Sequence, residues 1–258
     1  MISLIPMAGQ GSRFKEAGYQ LPKPFIPIMN MPMFMAAIRS FPRSDRYLLV
    51  CQKEFVRRYS FQKQVEQYLS SCEVLTVDGL TEGQACTCLV AEDRMDPNDM
   101  LMISSCDYQL VYDEEAHQQL FHDPTIDVIV WTFQTGAITK KSPEAFAYCR
   151  TMGNHVLEVV DKRTISETPH LDPAVTGTFT YRRVSDFLYG AKMMIQKNIR
   201  INGEFYVGTS INQLIEIGKK VVVFPVKKFI SFGDPFELQL YQAWEEFFFN
   251  EESHPYHG

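Results

Sequence analysis

The sequence predicts an α/β protein: a mixed, mainly parallel central sheet with helices on both faces. Three observations carry that expectation. Short apolar runs alternate with amphipathic segments over roughly the first half of the chain. A Gly-containing loop follows directly on the first apolar run. Beyond about residue 140, further strand-like runs are separated by helical ones.

Taken in order, ISLIPMA (2–8) reads as a buried strand ending at Gly9, and MPMFMAAIRSF (31–41) has helical spacing stopped by Pro42. RYLLVCQ (46–52) is a second strand and EFVRRYSFQKQVEQYL (54–69) an amphipathic helix. CEVLTVD (72–78), MLMISSCD (100–107) and DVIVWTF (127–133) are strands, with a helix at GQACTCLVAEDRM (83–95). In the second half, HVLEVVDK (155–162), VTGTFTYR (175–182) and KKVVVFPVKKFI (219–230) read as strands. Helices are expected at 186–198, 210–218 and 235–249, the last laying its aromatic stripe on the body. The tail ESHPYHG (252–258) is expected to fray, and its two histidines make a poor metal site.

At 258 residues the chain can bury a sizeable core. Neither an internal repeat nor a Gly/Ser/Pro-rich linker interrupts it. One domain is expected over 1–258, with an N-terminal half (1–140) and a C-terminal half (141–258). A formal net charge of -6 argues against a nucleic-acid-coating role. No apolar run approaches the roughly 18 residues of a membrane span. The six scattered cysteines form no CxxC pair, so reduced thiols in a cytoplasmic protein are expected.

The chemistry concentrates in IPMAGQGSRF (5–14) and LPKPFIPI (21–28). Gly9 and Gly11 allow positive φ and close backbone approach to a ligand, and successive N–H groups in such a loop make an anion cradle. Arg13 adds a planar fork for phosphate oxygens, and Lys23, held between Pro22 and Pro24, a compact charge. The loop is neither a Walker A sequence nor GxGxxG. Asp107 closes an apolar run in SSCDYQL; an acid there caps a helix or holds a divalent ion against phosphates. In open parallel sheets ligands gather at strand carboxyl ends, which places the opening loop and Asp107 on one rim.

AGQGSRF with LPKP resembles the signature of the nucleotidyltransferases that activate sugar phosphates, a family with a Rossmann-like, glycosyltransferase-A-like fold. The likeness continues, in that family's order, through TEGQACT (81–87), SCD (105–107), VVDK (159–162), VTGTF (175–179), GEFYVGTSINQLIEIGKKV (203–221) and FISFGDPFEL (229–238). The resemblance implies Mg²⁺-dependent transfer of a nucleoside monophosphate from a nucleoside triphosphate, with a pyrimidine favoured, to a sugar 1-phosphate or similar small phosphate. For members close to this chain it also implies a place in capsule or surface-glycan synthesis. Ala8, Gly9, Gly11 and Ser12 would line the nucleotide loop, with Arg13 and Lys23 on the phosphates and the metal on Asp107. Gly83 and Gln84 would face the base. Lys162 would steer the incoming phosphate, and Gly177 and Glu204 would contact the acceptor.

One position departs from the pattern. Many members carry a second metal-binding Asp in a stretch like WLDTGTPEDL; here FISFGDPFEL puts Ser231 there, and Asp234 follows three residues later. The expectation is that Asp107 and phosphate oxygens hold the metal. A glycosyltransferase of the same fold is the main alternative, but Asp107-Tyr108-Gln109 lacks its DxD acidic pair. A non-catalytic nucleotide-binding homologue is the third reading, with Ser231 as its support. A dimer is the default oligomeric expectation.

Overall fold

A computed structural model describes residues 1–28, 30–59, 61–134 and 142–250; the tail expected to fray lies outside them. The strands are β1 (Ile2–Met7), β2 (Pro27–Ile28), β3 (Met31–Pro32), β4 (Arg46–Gln52), β5 (Cys72–Val77), β6 (Leu101–Ile103), β7 (Tyr108–Val111), β8 (Val128–Phe133), β9 (Ala147–Met152), β10 (His155–Asp161), β11 (Ala174–Tyr181), β12 (Val221–Pro225) and β13 (Lys228–Ser231). The α-helices are α1 (Ser12–Glu16), α2 (Met33–Ile38), α3 (Lys53–Arg58), α4 (Phe61–Glu66), α5 (Gln84–Leu89), α6 (Glu114–His122), α7 (Val184–Gln196), α8 (Val207–Glu216) and α9 (Pro235–Asn250). The chain divides into two compact units whose segments interleave in sequence. The larger comprises Met1–Gly9, Arg43–Ser105 and Val111–Lys228; the smaller comprises Gln10–Pro42, Cys106–Leu110 and Phe229–Gly258.

The larger unit holds a nine-stranded sheet in the order β5-β4-β1-β6-β11-β8-β12-β10-β9. β5, β4, β1 and β6 run parallel, as the alternation predicts, and so do β8 and β12. Every other pairing in this sheet is antiparallel. The sheet is therefore mixed and not mainly parallel. One of these pairings has a local cause: the turn at Gly153 (φ +62) folds β9 directly onto β10, and hairpin-linked strands must be antiparallel. β9 also pairs with β11, so β11, β8, β12, β10 and β9 close on themselves. β1 and β8 are buried on both faces, which is why they read as unbroken apolar runs. α5, α7 and α8 contribute Ala85, Phe187, Ile211 and Leu214 to the core.

The smaller unit has its own core, built from Phe14, Ile26, Met33, Phe232 and Leu238. Its sheets are two-stranded pairs, β7 with β13 and β2 with β3. The segment read as one strand over 219–230 is two, β12 and β13, which belong to different sheets. The expected helix over 54–69 is likewise two short ones.

The terminal helix α9 corrects another expectation. Its aromatic stripe is not laid on the body: Phe236 is 61% exposed and Trp244 53%. Leu238 is buried, and Tyr241 meets Phe232 edge-on at 5.5 Å. A helix buries one stripe, and this one carries more large apolar residues than one stripe can take.

Candidate active site

The smaller unit gathers the phosphate-type residues around Gly233. Gly11 is left-handed (φ +60), and a Cβ there would lie 3.3 Å from the Lys23 Cβ, so only glycine lets the opening loop close on Lys23. At Gly9 φ is not in that region and a Cβ would meet open space, so positive φ is required at Gly11 alone. Pro22 and Pro24 fix a single 3₁₀ turn over Lys23–Phe25. From it the Lys23 ammonium donates to Asp107 Oδ2 at 2.5 Å and to the Gly233 carbonyl at 2.9 Å, 5.4 Å from the Phe14 ring centroid. Asp107 is placed by strand pairing, for its carbonyl accepts the Phe232 N–H just past β13.

Ser231, the departure noted in the sequence, has a partner. Its hydroxyl donates to Glu237 Oε2 at 2.7 Å and accepts the Gly233 N–H at 3.2 Å. Asp234 serves elsewhere: its Oδ1 accepts the Glu237 N–H in the first turn of α9, and its Oδ2 lies 3.9 Å from Arg13 Nη1. A Cβ on Gly233 would lie 3.3 Å from Ser231 Oγ, 3.4 Å from Asp107 Oδ2 and 3.5 Å from Glu237 Oε2. Three oxygens thus converge on a space that the glycine leaves open, with a cationic ammonium on its rim. Arg13 is exposed, and Ser12 with it.

That donor set suits Mg²⁺, which takes carboxylate, carbonyl and hydroxyl oxygens and leaves positions for water and phosphate. Among the described residues no group of three or more His, Cys, Asp or Glu converges. Asp107 and Glu237 are the two carboxylates that would hold the ion.

The larger unit carries the remaining predicted residues. Ala8 is buried, and its carbonyl accepts from the Gln52 side chain at 2.8 Å. Gly83 (φ +125) precedes Gln84, the first residue of α5; a Cβ there would strike the Phe205 N at 2.5 Å and O at 2.6 Å. The space at Gly83 is therefore used by Phe205, whose N–H donates to the Glu82 carbonyl and whose carbonyl accepts from Ala85. Arg200 pairs with Glu82 and lies over the Phe205 ring. TEGQ and GEF are thereby tied into one structure. Asn202 (φ +49) and Gly203 (φ +83) make the tight turn that places Glu204, with Ile201 and Glu204 paired across it.

Gly177 (φ +94) sits in β11 where the register with β8 shifts between Val175 and Phe179. Lys162 follows β10, and its ammonium stands 5.7 Å from the centroid of the Tyr206 ring, whose phenol has the Glu204 carboxylate as a neighbour. Burial first, then the neighbouring Glu204 carboxylate, pushes the Tyr206 phenol above its ordinary range. Lys162 and Glu204, 42 residues apart in sequence, are both neighbours of one aromatic side chain.

Sequence reasoning missed Glu237 and Tyr206. For Glu237 the signal was Asp234-Pro235-Phe236-Glu237, an N-cap with an acid three residues on. Nothing in the sequence says that this acid reaches Ser231 instead of the helix end.

No family model and no curated protein matches the chain by sequence. By structure, a nucleoside-diphosphate-sugar pyrophosphorylase from Vibrio cholerae superposes with a TM-score of 0.76 at 22% identity, covering 94% of this chain and 100% of that one. The chain shares that protein's fold. An inositol-1-phosphate CTP transferase from T. maritima (TM-score 0.71, 14% identity, 96% of each chain) shares it. So does a UDP-glucose pyrophosphorylase complexed with UDP-glucose (0.69, 15%, 95% and 98%). Within that fold, no helix among the described residues is long and apolar enough to cross a membrane.

Proposed function

We propose that this protein transfers a nucleoside monophosphate from a pyrimidine nucleoside triphosphate to a sugar 1-phosphate or a similar small phosphate, releasing pyrophosphate. The observation that carries the reading is the oxygen-lined space at Gly233, with the Lys23 ammonium on Asp107 beside it. A charge pair so placed can exchange partners. The ammonium turns to phosphate oxygens, while Asp107 and Glu237 turn to a cation. The structural neighbours support the reaction class by what they are named for, UDP-glucose and CTP among them, and these names also favour a pyrimidine.

Phosphoryl and nucleotidyl transfer ask a protein mainly to position groups and neutralise charge. The Gly9–Ser12 loop with Ala8 is assigned to the nucleotide, Arg13 and Lys23 to its phosphates, and Gly83 and Gln84 to the base. Lys162 is assigned to the acceptor phosphate, and Gly177 and Glu204 to its hydroxyls. Asp107 and Glu237 would hold Mg²⁺, which would supply charge neutralisation for the triphosphate. An acceptor phosphate oxygen attacks the α-phosphorus in line, the bond to the β-phosphate oxygen breaks, and pyrophosphate leaves. Lys23 and Arg13 stabilise the negative charge as it shifts to the leaving group.

Pyrophosphate release is the test, with each nucleoside triphosphate set against a panel of sugar 1-phosphates and other small phosphates. Release that requires one pyrimidine triphosphate and one acceptor is expected. Triphosphate binding without release from any pair would overturn the assignment. Arg13→Ala is expected to keep the fold, since the side chain is 67% exposed, and to lose turnover.

A further inference from the structure

Two sequence-distant motifs of the larger unit meet at the first turn of α8, and the residue that joins them is Asp161. β10 ends there, and Lys162 then takes φ +57, a left-handed conformation that a lysine keeps only where its surroundings hold it. The Lys162 N–H donates to the Phe146 carbonyl at 3.0 Å. Its ammonium donates to the Ala145 carbonyl at 2.5 Å and stands 5.7 Å from the centroid of Tyr206. Tyr206 is the residue immediately before α8, and Glu204 lies two residues before it, past the turn at Asn202 and Gly203.

The Asp161 carboxylate is held by α8 itself. Its Oδ2 accepts the Thr209 hydroxyl at 2.6 Å, and it packs on Gly208, where a Cβ would lie 2.9 Å from Oδ2 and 3.2 Å from Oδ1. It therefore rests on the opening turn of a ten-residue helix, the positive end of the helix dipole, which favours an anion. Burying a carboxylate costs stability unless it is well bonded. Burial does raise the Asp161 carboxyl above its usual range, against the opposing pull of Thr209 and Lys162.

We propose that Asp161 is a positioning residue. By gripping Gly208–Thr209 it fastens the strand end carrying Lys162 to the helix start carrying Glu204 and Tyr206. This sets an ammonium at the face of the Tyr206 ring and keeps Glu204 two residues from that ring in the chain, a pairing of charges suited to an acceptor bearing both a phosphate and hydroxyls. The inference rests on the acceptor assignment of Lys162 and Glu204 made above.

Steady-state kinetics with the full chain test it, varying acceptor and triphosphate separately for Lys162→Ala, Thr209→Val, Thr209→Ser and Gly208→Ala. Thr209→Val removes the hydroxyl without changing shape, and Gly208→Ala forces the carboxylate off the turn. Each is expected to raise the acceptor KM about tenfold or more, because small misplacements of positioning groups cost that much. The triphosphate KM stays unchanged, and Thr209→Ser, which keeps the hydroxyl, restores the acceptor KM. A merely structural cap would lower Tm and leave both KM values alone; that outcome overturns the proposal. If Gly208→Ala fails to fold, Thr209→Val against Thr209→Ser decides. Should Lys162→Ala itself leave the acceptor KM unchanged, the acceptor assignment falls, and this inference with it. A Lys162→Ala effect without a Thr209→Val effect overturns this inference alone.

Discussion

In the smaller unit, Lys23 and Asp107 meet at 2.5 Å with side chains 16% and 23% exposed; in the larger, His117 is 2% exposed inside a shell of Tyr112, Phe121, Trp131 and Phe224. The first region shields charges and keeps them, because each has a polar partner and water stays within reach. The second offers His117 ring faces only. Its Nε2 has no hydrogen-bond partner among the described residues, and burial, with His122 adding to it, lowers its pKa to about 4. The difference separates two uses of a titratable group. A charge pair held at the edge of solvent can be redirected to a ligand, whereas a neutral imidazole sealed among aromatics serves packing and carries a pH-dependent cost.

The largest effect should come from breaking the first region. Lys23→Met removes the ammonium and leaves the Asp107 and Glu237 carboxylates on either side of the Gly233 space. Turnover is expected to fall about 100- to 1,000-fold, the scale seen when one preorganised charge-stabilising donor is lost. Stability in urea should fall by about 1 to 3 kcal/mol, less than for a fully buried pair, since the Asp107 carboxylate loses its partner while water stays within reach. Unfolding by Lys23→Met with little loss of specific activity would put the pair in the same class as His117 and end the contrast.

The second region yields to pH. The His117 pKa is about 4 when folded, against 6.5 as its ordinary value, so the unfolded chain binds the proton first on acidification. Its contribution is fully present above pH 6.5 and is lost as the pH falls towards 4, by about 3 kcal/mol in total. Urea unfolding between pH 4.5 and 8 should show that slope in the wild type, and His117→Phe should flatten it. The carboxylates held low by their own partners, Asp113 at the start of α6 among them, act mainly below this window and are common to both proteins. An unchanged slope in His117→Phe would mean that the cage tolerates the charged ring.

These regions differ just as much in how far the sequence discloses them. The apolar run at Arg46–Gln52 marks both ends of β4, and those of β1, β5, β8, β10 and β11 mark their strands to within a residue or two, because buried strands announce themselves by composition. β7 and β13 do not. They are four residues each and exist through pairing with each other, 120 residues apart in the chain. That pairing is what brings Ser231 and Glu237 to Asp107. α6 is hidden although Asp113 caps it and Glu114 and Glu115 follow, because its polar composition masks the single buried residue, His117. The Gly-rich loop and the PKP turn are legible as chemistry, since residue type and spacing suffice there. Glu237 is not, because its role depends on a serine hydroxyl that only the fold supplies.

The finest test of the contrast adds one methyl group. Gly233 does not occupy the left-handed region, so Gly233→Ala leaves the backbone unstrained and only fills the space among Ser231 Oγ, Asp107 Oδ2 and Glu237 Oε2 at 3.3 to 3.5 Å. Stability should change by no more than about 0.5 kcal/mol, because both backbone hydrogen bonds of residue 233, to Lys23 and to Ser231, are kept. Divalent-ion binding, followed directly by the resonance of Mn²⁺ in place of Mg²⁺, should weaken about tenfold, the loss typical of a disturbed ligand environment. The same variant should leave the pH slope set by His117 untouched. Wild-type ion affinity in Gly233→Ala would show that Asp107 and Glu237 do not share an ion, and the oxygens around that space would then serve only to fasten β13 to α9.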